Sequence, residues 1–470
     1  MFRLLVEKEL RDAIGSPKFV ATFVASAVLI LLAFFFGARG YQIESRRYDA
    51  AKAENLRQLE GMTDWLQVQD LRIFLPPQPL AFLVPGIAND IGRTVSIAGS
   101  GDLPADGSRY GEEPVLAVFR MLDLDFLFQV VLTLFAIVLA HDAVCGEKER
   151  GTLRLAMSNA IPRRRFLLGK IVGTLVALLL PLSVPLLLGC LMLPLLGVPM
   201  TAGEWLRLAL ILGSGLALLA GTIVLSVLVS AATRRSSSAF LILLAIWIAS
   251  VAIVPRASVL FAGRAVAVPS VDEIAAQQER LRGQLWTEDR RKMASFQPAH
   301  LGDPQAMVAE LQDFLQKIRD ERERKVSELT HRLEEERRNR QERQSTFAFA
   351  LARISPGAVF SLAAAKLAGT SLDLPRRLQE QALAYQASYA RFLLEKTGMN
   401  PGAGTVVIRM NDDGRQPEPI DPRELPEFQY RSETLAEVLP GASPDLALLA
   451  LFPVLFLAVA VALFHRYDVR

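Results

Sequence analysis

The sequence predicts an all-α membrane protein with six transmembrane helices and a large, mainly helical external domain. Three observations predict it. The 470-residue chain is 51% hydrophobic yet 21% charged, and the two kinds of residue are segregated along it. Six stretches are apolar over lengths near the roughly 20 residues a helix needs to cross a hydrocarbon core about 30 Å thick. The Lys and Arg residues of the short loops fall on one side of those stretches. Net charge is only +3, so nothing suggests nucleic acid as a partner. The two cysteines, Cys145 and Cys190, and four His are too few for a disulfide framework or a metal cluster.

Residues 1–18 open the chain. Phe2, Leu5, Val6, Leu10, Ala13 and Ile14 recur at helical spacing opposite Arg3, Glu7, Lys8, Arg11 and Asp12, which predicts an amphipathic helix lying in the lipid interface. The plainer alternative is a charged stop before a span. Gly15, Ser16 and Pro17 break it. The spans then run over 19–37, 122–140, 166–189, 206–232, 239–255 and 445–464. The first is too long for a signal-peptide core and follows an acidic leader, so it is read as an uncleaved anchor. The third contains Pro181 and Pro185, which predict a kink or break.

Orientation rests on the short loops. Loop 141–165 carries Lys148, Arg150, Arg154, Arg163, Arg164 and Arg165, with Lys170 just beyond, and the turn 233–238 carries Arg234 and Arg235. Residues 190–204 hold no Lys or Arg. Both termini, including the tail 465–470, are then cytoplasmic, and segments 38–121 and 256–444 are external, forming one mainly helical domain.

Loop 141–165 is the most informative stretch. Glu147, Lys148, Glu149 and Arg150 form a hydrophilic head, Leu153, Leu155 and Met157 add apolar contact, and a helix is expected from about Glu147 to Ser158. Held between two spans, such a helix suits the docking of a cytoplasmic partner. A basic anchor touching only lipid headgroups is the competing reading, and the chemistry alone leaves the two close.

The run Gly146 to Leu153 (Gly-Glu-Lys-Glu-Arg-Gly-Thr-Leu), followed by Met157, Ser158 and Asn159, by Pro162 and Arg163, and by Gly169 and Lys170, resembles the signature loop of ABC-2 type transporter permeases. Pro79, Leu80 and Gly86, with Asp123 and Asp125 opening the second span, resemble the subgroup with a large external domain, similar to the permease of nitrous oxide reductase maturation. Ala160 departs from the pattern at the local turn. The resemblance implies that residues 1–18 are an elbow helix and that the loop is a coupling helix seated on an ATPase subunit. Docking would then fall to Glu147, Lys148, Glu149, Arg150, Gly151, Thr152 and Arg154. It further implies a bacterial inner-membrane export permease working as a pair of identical or paralogous copies. No phosphate-binding loop occurs in the sequence, since position 164 before Gly169 and Lys170 is Arg. ATP and Mg therefore belong to the partner, and no catalytic residue or cofactor is expected in this chain.

Gly213, Ala217 and Gly221 share one face of the fourth span, where small residues allow close helix approach. Packing inside the bundle and a permease dimer interface both fit. No charged residue sits in the middle of a span, which disfavours ion coupling. Externally, Leu311, Leu315, Ile318, Val326, Leu329 and Leu333 mark long helices, as a stalk or as a hairpin broken near 297–304. Residues 354–369 read as an apolar helix on the membrane surface, about 375–396 as a further helix, and 405–410 as a strand whose Asp412 and Asp413 turn is not a metal site. The external domain suggests a periplasmic protein as a partner. Two rivals remain: an ATP-driven mechanotransmission machine that moves no cargo, and a membrane-anchored sensor or scaffold without an ATPase.

Overall fold

A computed structural model describes residues 2–65, 68, 71–97, 103, 105–108, 122–153, 157, 162–297, 304–398 and 419–466. It is an all-α membrane protein with six helices long and apolar enough to cross a bilayer: Pro17–Arg57, Leu124–Glu149, Arg163–Leu195, Ala202–Ala232, Ser236–Ala265 and Leu435–His465. Each outruns the stretch read from hydropathy, because helix propensity continues past the point where apolar composition ends. The third remains one helix through Pro181 and Pro185, so of the kink or break expected there the break does not occur. The second and fifth contain π-helical turns, Leu127–Leu132 and Ala249–Ile253.

The chain divides into two compact units, Met1–Val251 with Ser355–Arg470, and Ala252–Ile354. The stretch read as the second external segment, 256–444, is thus split: residues up to 354 form the second unit, and those from 355 onward fall in the first unit with 38–121. In the first unit the main core runs through the spans, with Ile30, Phe34, Leu127, Phe128, Ile211 and Leu219 fully enclosed. The N-terminal helix Phe2–Ile14, the loop after the second span and the start of the third span meet at one end of this bundle, here termed the loop end.

The opposite end carries a small module that was not anticipated. Strands β1 (Leu71–Phe74), β2 (Gly92–Ile97) and β3 (Ala105–Ser108) form an antiparallel sheet in the order β1-β2-β3. Leu71 pairs with Ile97 and Ile73 with Val95. All four side chains turn to one face and close a core with Trp65, Leu378, Tyr385, Tyr389 and Phe392. The last four come from helix Leu374–Thr397, which Gly398 ends at φ +71°. The Tyr385 hydroxyl donates to the Pro426 carbonyl at 2.8 Å.

A short apolar helix, Pro356–Ala368, joins the main core through Val359, Phe360, Ala363, Ala364 and Leu367. Its polar side chains reach the surrounding spans. Ser361 donates to Asp125 at 2.5 Å, and Lys366 lies 3.1 Å from the buried Asp445. Beyond it, Gly86 sits at φ +49° with the Thr370 carbonyl 2.4 Å from where a Cβ would stand, so only glycine fits.

The second unit contains helices Val271–Ala294 and Pro304–Ala352. Gln278 bonds Thr330, Asp289 pairs with Arg322, and Lys292 pairs with Glu321. One partner number falls as the other rises, so the two are an antiparallel hairpin, not a parallel stalk. The expected strand at 405–410 and the Asp412–Asp413 turn lie outside the described residues.

Candidate functional site

The loop end gathers six charged side chains from four elements. The third span carries Gly169 and Gly173 one turn apart, and the N-terminal helix lies directly on them. A Cβ at Gly169 would stand 2.2 Å from Leu5 Cδ2, and one at Gly173 would stand 2.5 Å from Glu9 Cβ. Small residues at this spacing let two helices touch backbone to backbone. Between the glycines, Lys170 is 4% exposed. Its Nζ lies 2.7 Å from Glu9 Oε1 and 2.6 Å from Glu147 Oε1, over the Phe166 ring. Lys8 approaches Glu147 Oε1 at 3.4 Å. Asp142 reaches Lys18 at 3.5 Å, at the base of the first span.

Glu9, Glu147 and Lys170 form a buried ion-pair network with the more exposed Lys8, Lys18 and Asp142 at its rim, and burial sets the electrostatics of its centre. Desolvation raises the Glu9 carboxyl above its ordinary range, more than the neighbouring Lys170 lowers it. Glu147 is 5% exposed, and its second oxygen, Oε2, has no hydrogen-bond partner among the described residues. Taking charges out of water is expensive and is repaid only while the partners stay in place.

The helix expected over 147–158 is present in part: a first helical turn covers Cys145–Glu149, Gly151 interrupts it at a left-handed φ of +73°, and Thr152, Leu153 and Met157 are helical again. Ser230 Oγ accepts from the Val144 and Cys145 amides at 3.0 Å each, fastening the start of that turn to the fourth span. Lys148 donates to the carbonyls of Ala231, at 2.5 Å, and Thr233, at 2.8 Å, closing the end of the fourth span. Glu149 accepts from the Ser236 amide at 2.9 Å and its hydroxyl at 2.6 Å, capping the fifth. Arg150 donates to the Gly146 carbonyl, and Thr152 to the Glu147 carbonyl. Glu149, Arg150, Gly151 and Thr152 are exposed. Arg154 lies outside the described residues.

Of the basic residues, Arg163 donates to the His465 carbonyl at 2.7 Å, while Arg164 and Arg165 are exposed. Lys170 is no headgroup contact, because the helix begins at Arg163 and carries it inward to two carboxylates. In the small-residue stripe, Gly221 faces Pro453 of the sixth span, and nothing comes within 4 Å of a Cβ at Gly213. The close approaches occur elsewhere: Gly215 against Phe128, Gly189 against Phe34, and the seat at Gly169 and Gly173. The Gly-x-x-x-Gly spacing of that seat was readable in the sequence. The convergence of Glu9 with Lys170 was not.

Six helices long and apolar enough to cross a bilayer define a multi-pass membrane protein. The family described as ABC-2 family transporter protein matches residues 3–331, and the chain belongs to that family, as a permease subunit of an ABC transporter. A domain of unknown function (DUF3526) matches residues 273–406. A comparison with curated proteins finds no match.

Proposed function

We propose that the chain couples ATP hydrolysis by a separate ATPase subunit to movement of its spans, with the exposed tip of the loop as the docking point. The observation carrying this is the fastening of the loop. Residues 142–149 are tied to the first, third, fourth and fifth spans or to the helix before them, so force on Glu149, Arg150, Gly151 or Thr152 reaches four spans. Arg154 follows in the sequence as a further contact, while Glu147 and Lys148 position the tip from inside. In this reading the loop end is cytoplasmic, the protein lies in a bacterial inner membrane, and two permease copies, identical or paralogous, bind two ATPases that hold ATP and Mg. The resemblance of Pro79, Leu80, Gly86, Asp123 and Asp125 to the nitrous oxide reductase maturation subgroup belongs to the same proposal, as does a periplasmic partner for the sheet module.

Export of an unidentified substrate is the general form of this activity. Mechanotransmission without cargo is the second reading, favoured by the continuous packing of the first span into the sheet module. Co-purification tests the docking. Arg150→Glu with Thr152→Arg is expected to lose the ATPase subunit while the permease stays folded. Retention of the ATPase with unchanged turnover would remove the assignment. A chain that binds no ATPase at all would instead be a sensor or scaffold.

A further inference from the structure

The first helix is 41 residues long, about 60 Å at 1.5 Å per residue, roughly twice what a bilayer requires. It contains no internal proline and no π-helical turn. The third and sixth spans each hold three prolines, and the second and fifth hold π-helical turns. The fourth is also uninterrupted and is held at both ends, by Arg207 and Lys148, but it is 31 residues long, whereas the first, at 41 residues, runs on into the sheet module.

At its base, Ser16 caps it by accepting from the Phe19 amide, and Lys18 pairs with Asp142 of the loop. At mid-length, Phe34 fills the notch at Gly189 of the third span. Further on, Gly37 and Gly40 receive Leu83 and Phe82, each closer than 3 Å to where a Cβ would stand. At its top it is built into the sheet module. Glu44 pairs with Arg93 of β2 at 2.6 Å, both largely buried. Lys52 pairs with Glu427 at 2.6 Å. Asn55 accepts from the Arg72 amide and donates to the Arg72 carbonyl, taking the hydrogen-bond positions a neighbouring strand would occupy on β1.

We propose that Pro17–Arg57 is a transmission rod that carries displacement of the 142–149 loop to the sheet module. A helix without a kink site moves as a rigid body, so a shift or tilt at Lys18 appears at Glu44 and Asn55. This rests on the docking reading, in which a partner moves the loop. The module is the rod's load, and Glu44, Lys52 and Asn55 are positioning residues that transmit motion without touching a substrate.

The test uses the full chain with its ATPase in nanodiscs. Spin labels at Leu383→Cys in the module and Leu451→Cys in the sixth span report their separation with and without a non-hydrolysable ATP analogue. The wild type is expected to show a nucleotide-dependent change in that distance. Ile43→Pro kinks the rod below every module contact and is expected to abolish the change while ATPase binding and turnover persist. Glu44→Gln with Asn55→Ala leaves the rod straight but loosens its grip, and should give the same loss with the module folded, as judged by Trp65 fluorescence. A full distance change in both variants overturns the rod, as does a wild-type distance that ignores the nucleotide while turnover proceeds. Absence of ATPase binding in every variant, wild type included, overturns the docking reading and the rod with it.

Discussion

Glu9 at the loop end and Glu321 in the 252–354 hairpin both face lysines, yet their acidities move in opposite directions. Glu321 lies between Lys292 at 2.7 Å and Lys325 at 2.8 Å, and their hydrogen bonds lower it to about 2. Glu9 has Lys170 at the same 2.7 Å, and burial raises it. Distance to the cation is therefore not what separates them. Water hydrates both members of the hairpin pair and little of the loop-end network, so there the cost of desolvation outweighs the attraction. Exposed pairs of the first kind contribute little and tolerate loss, whereas buried pairs fail badly when one partner goes.

The largest break in this comparison is Lys170→Met. It strands Glu9 and Glu147 without their shared cation and is expected to cost about 3–5 kcal/mol, read as a lowered unfolding midpoint in detergent. Arg322→Met is intermediate. It leaves Asp289, 3% exposed, without its ion-pair partner at 3.1 Å, at a cost of about 1–3 kcal/mol.

The pH dependence sharpens the contrast. A carboxyl raised by docking favours the docked form when protonated, so the Glu9 contribution is fully present below the ordinary carboxylate range and is lost as pH rises through the raised value. Glu321 is lowered, so its contribution is present above the ordinary range and lost as pH falls toward about 2. Protection of the N-terminal helix from proteolysis is expected to weaken from acid to neutral pH, and Glu9→Gln to flatten that slope. The smallest effect is Lys292→Met, which removes one of two exposed partners of Glu321 and is expected to leave the thermal melting midpoint nearly unchanged.

The same contrast explains what was legible in the sequence. The six spans showed because apolar runs of that length have few other uses. The long helix of the 252–354 unit showed because Leu311 to Leu333 keep helical spacing, but the choice between stalk and hairpin needed the pairing of Asp289 with Arg322 and Lys292 with Glu321. The sheet module did not show. Its strand β1 is four residues, Leu71–Phe74, too short for alternation to rise above chance. The loop was recognised from Gly146 to Leu153, but the inward turn of Glu147 was hidden, because Lys170 is 23 positions away and Glu9 far earlier in the chain. Gly151 was visible as a letter and not as a break between two helical turns. Docking residues and helix-capping residues look alike in sequence, since both are short charged runs between spans.

The capping contacts of Lys148 and Glu149 also bear on how the chain is made. The turn between the fourth and fifth spans is completed at both sides by these two side chains, which leave the ribosome more than 80 residues before Ser236. Arg235, at the cap position of the fifth span, makes no side-chain cap bond of its own. The side chains that complete the ends of the fourth and fifth spans are therefore synthesised before those ends, while the loop's own turn is fastened only when Ser230 of the fourth span arrives.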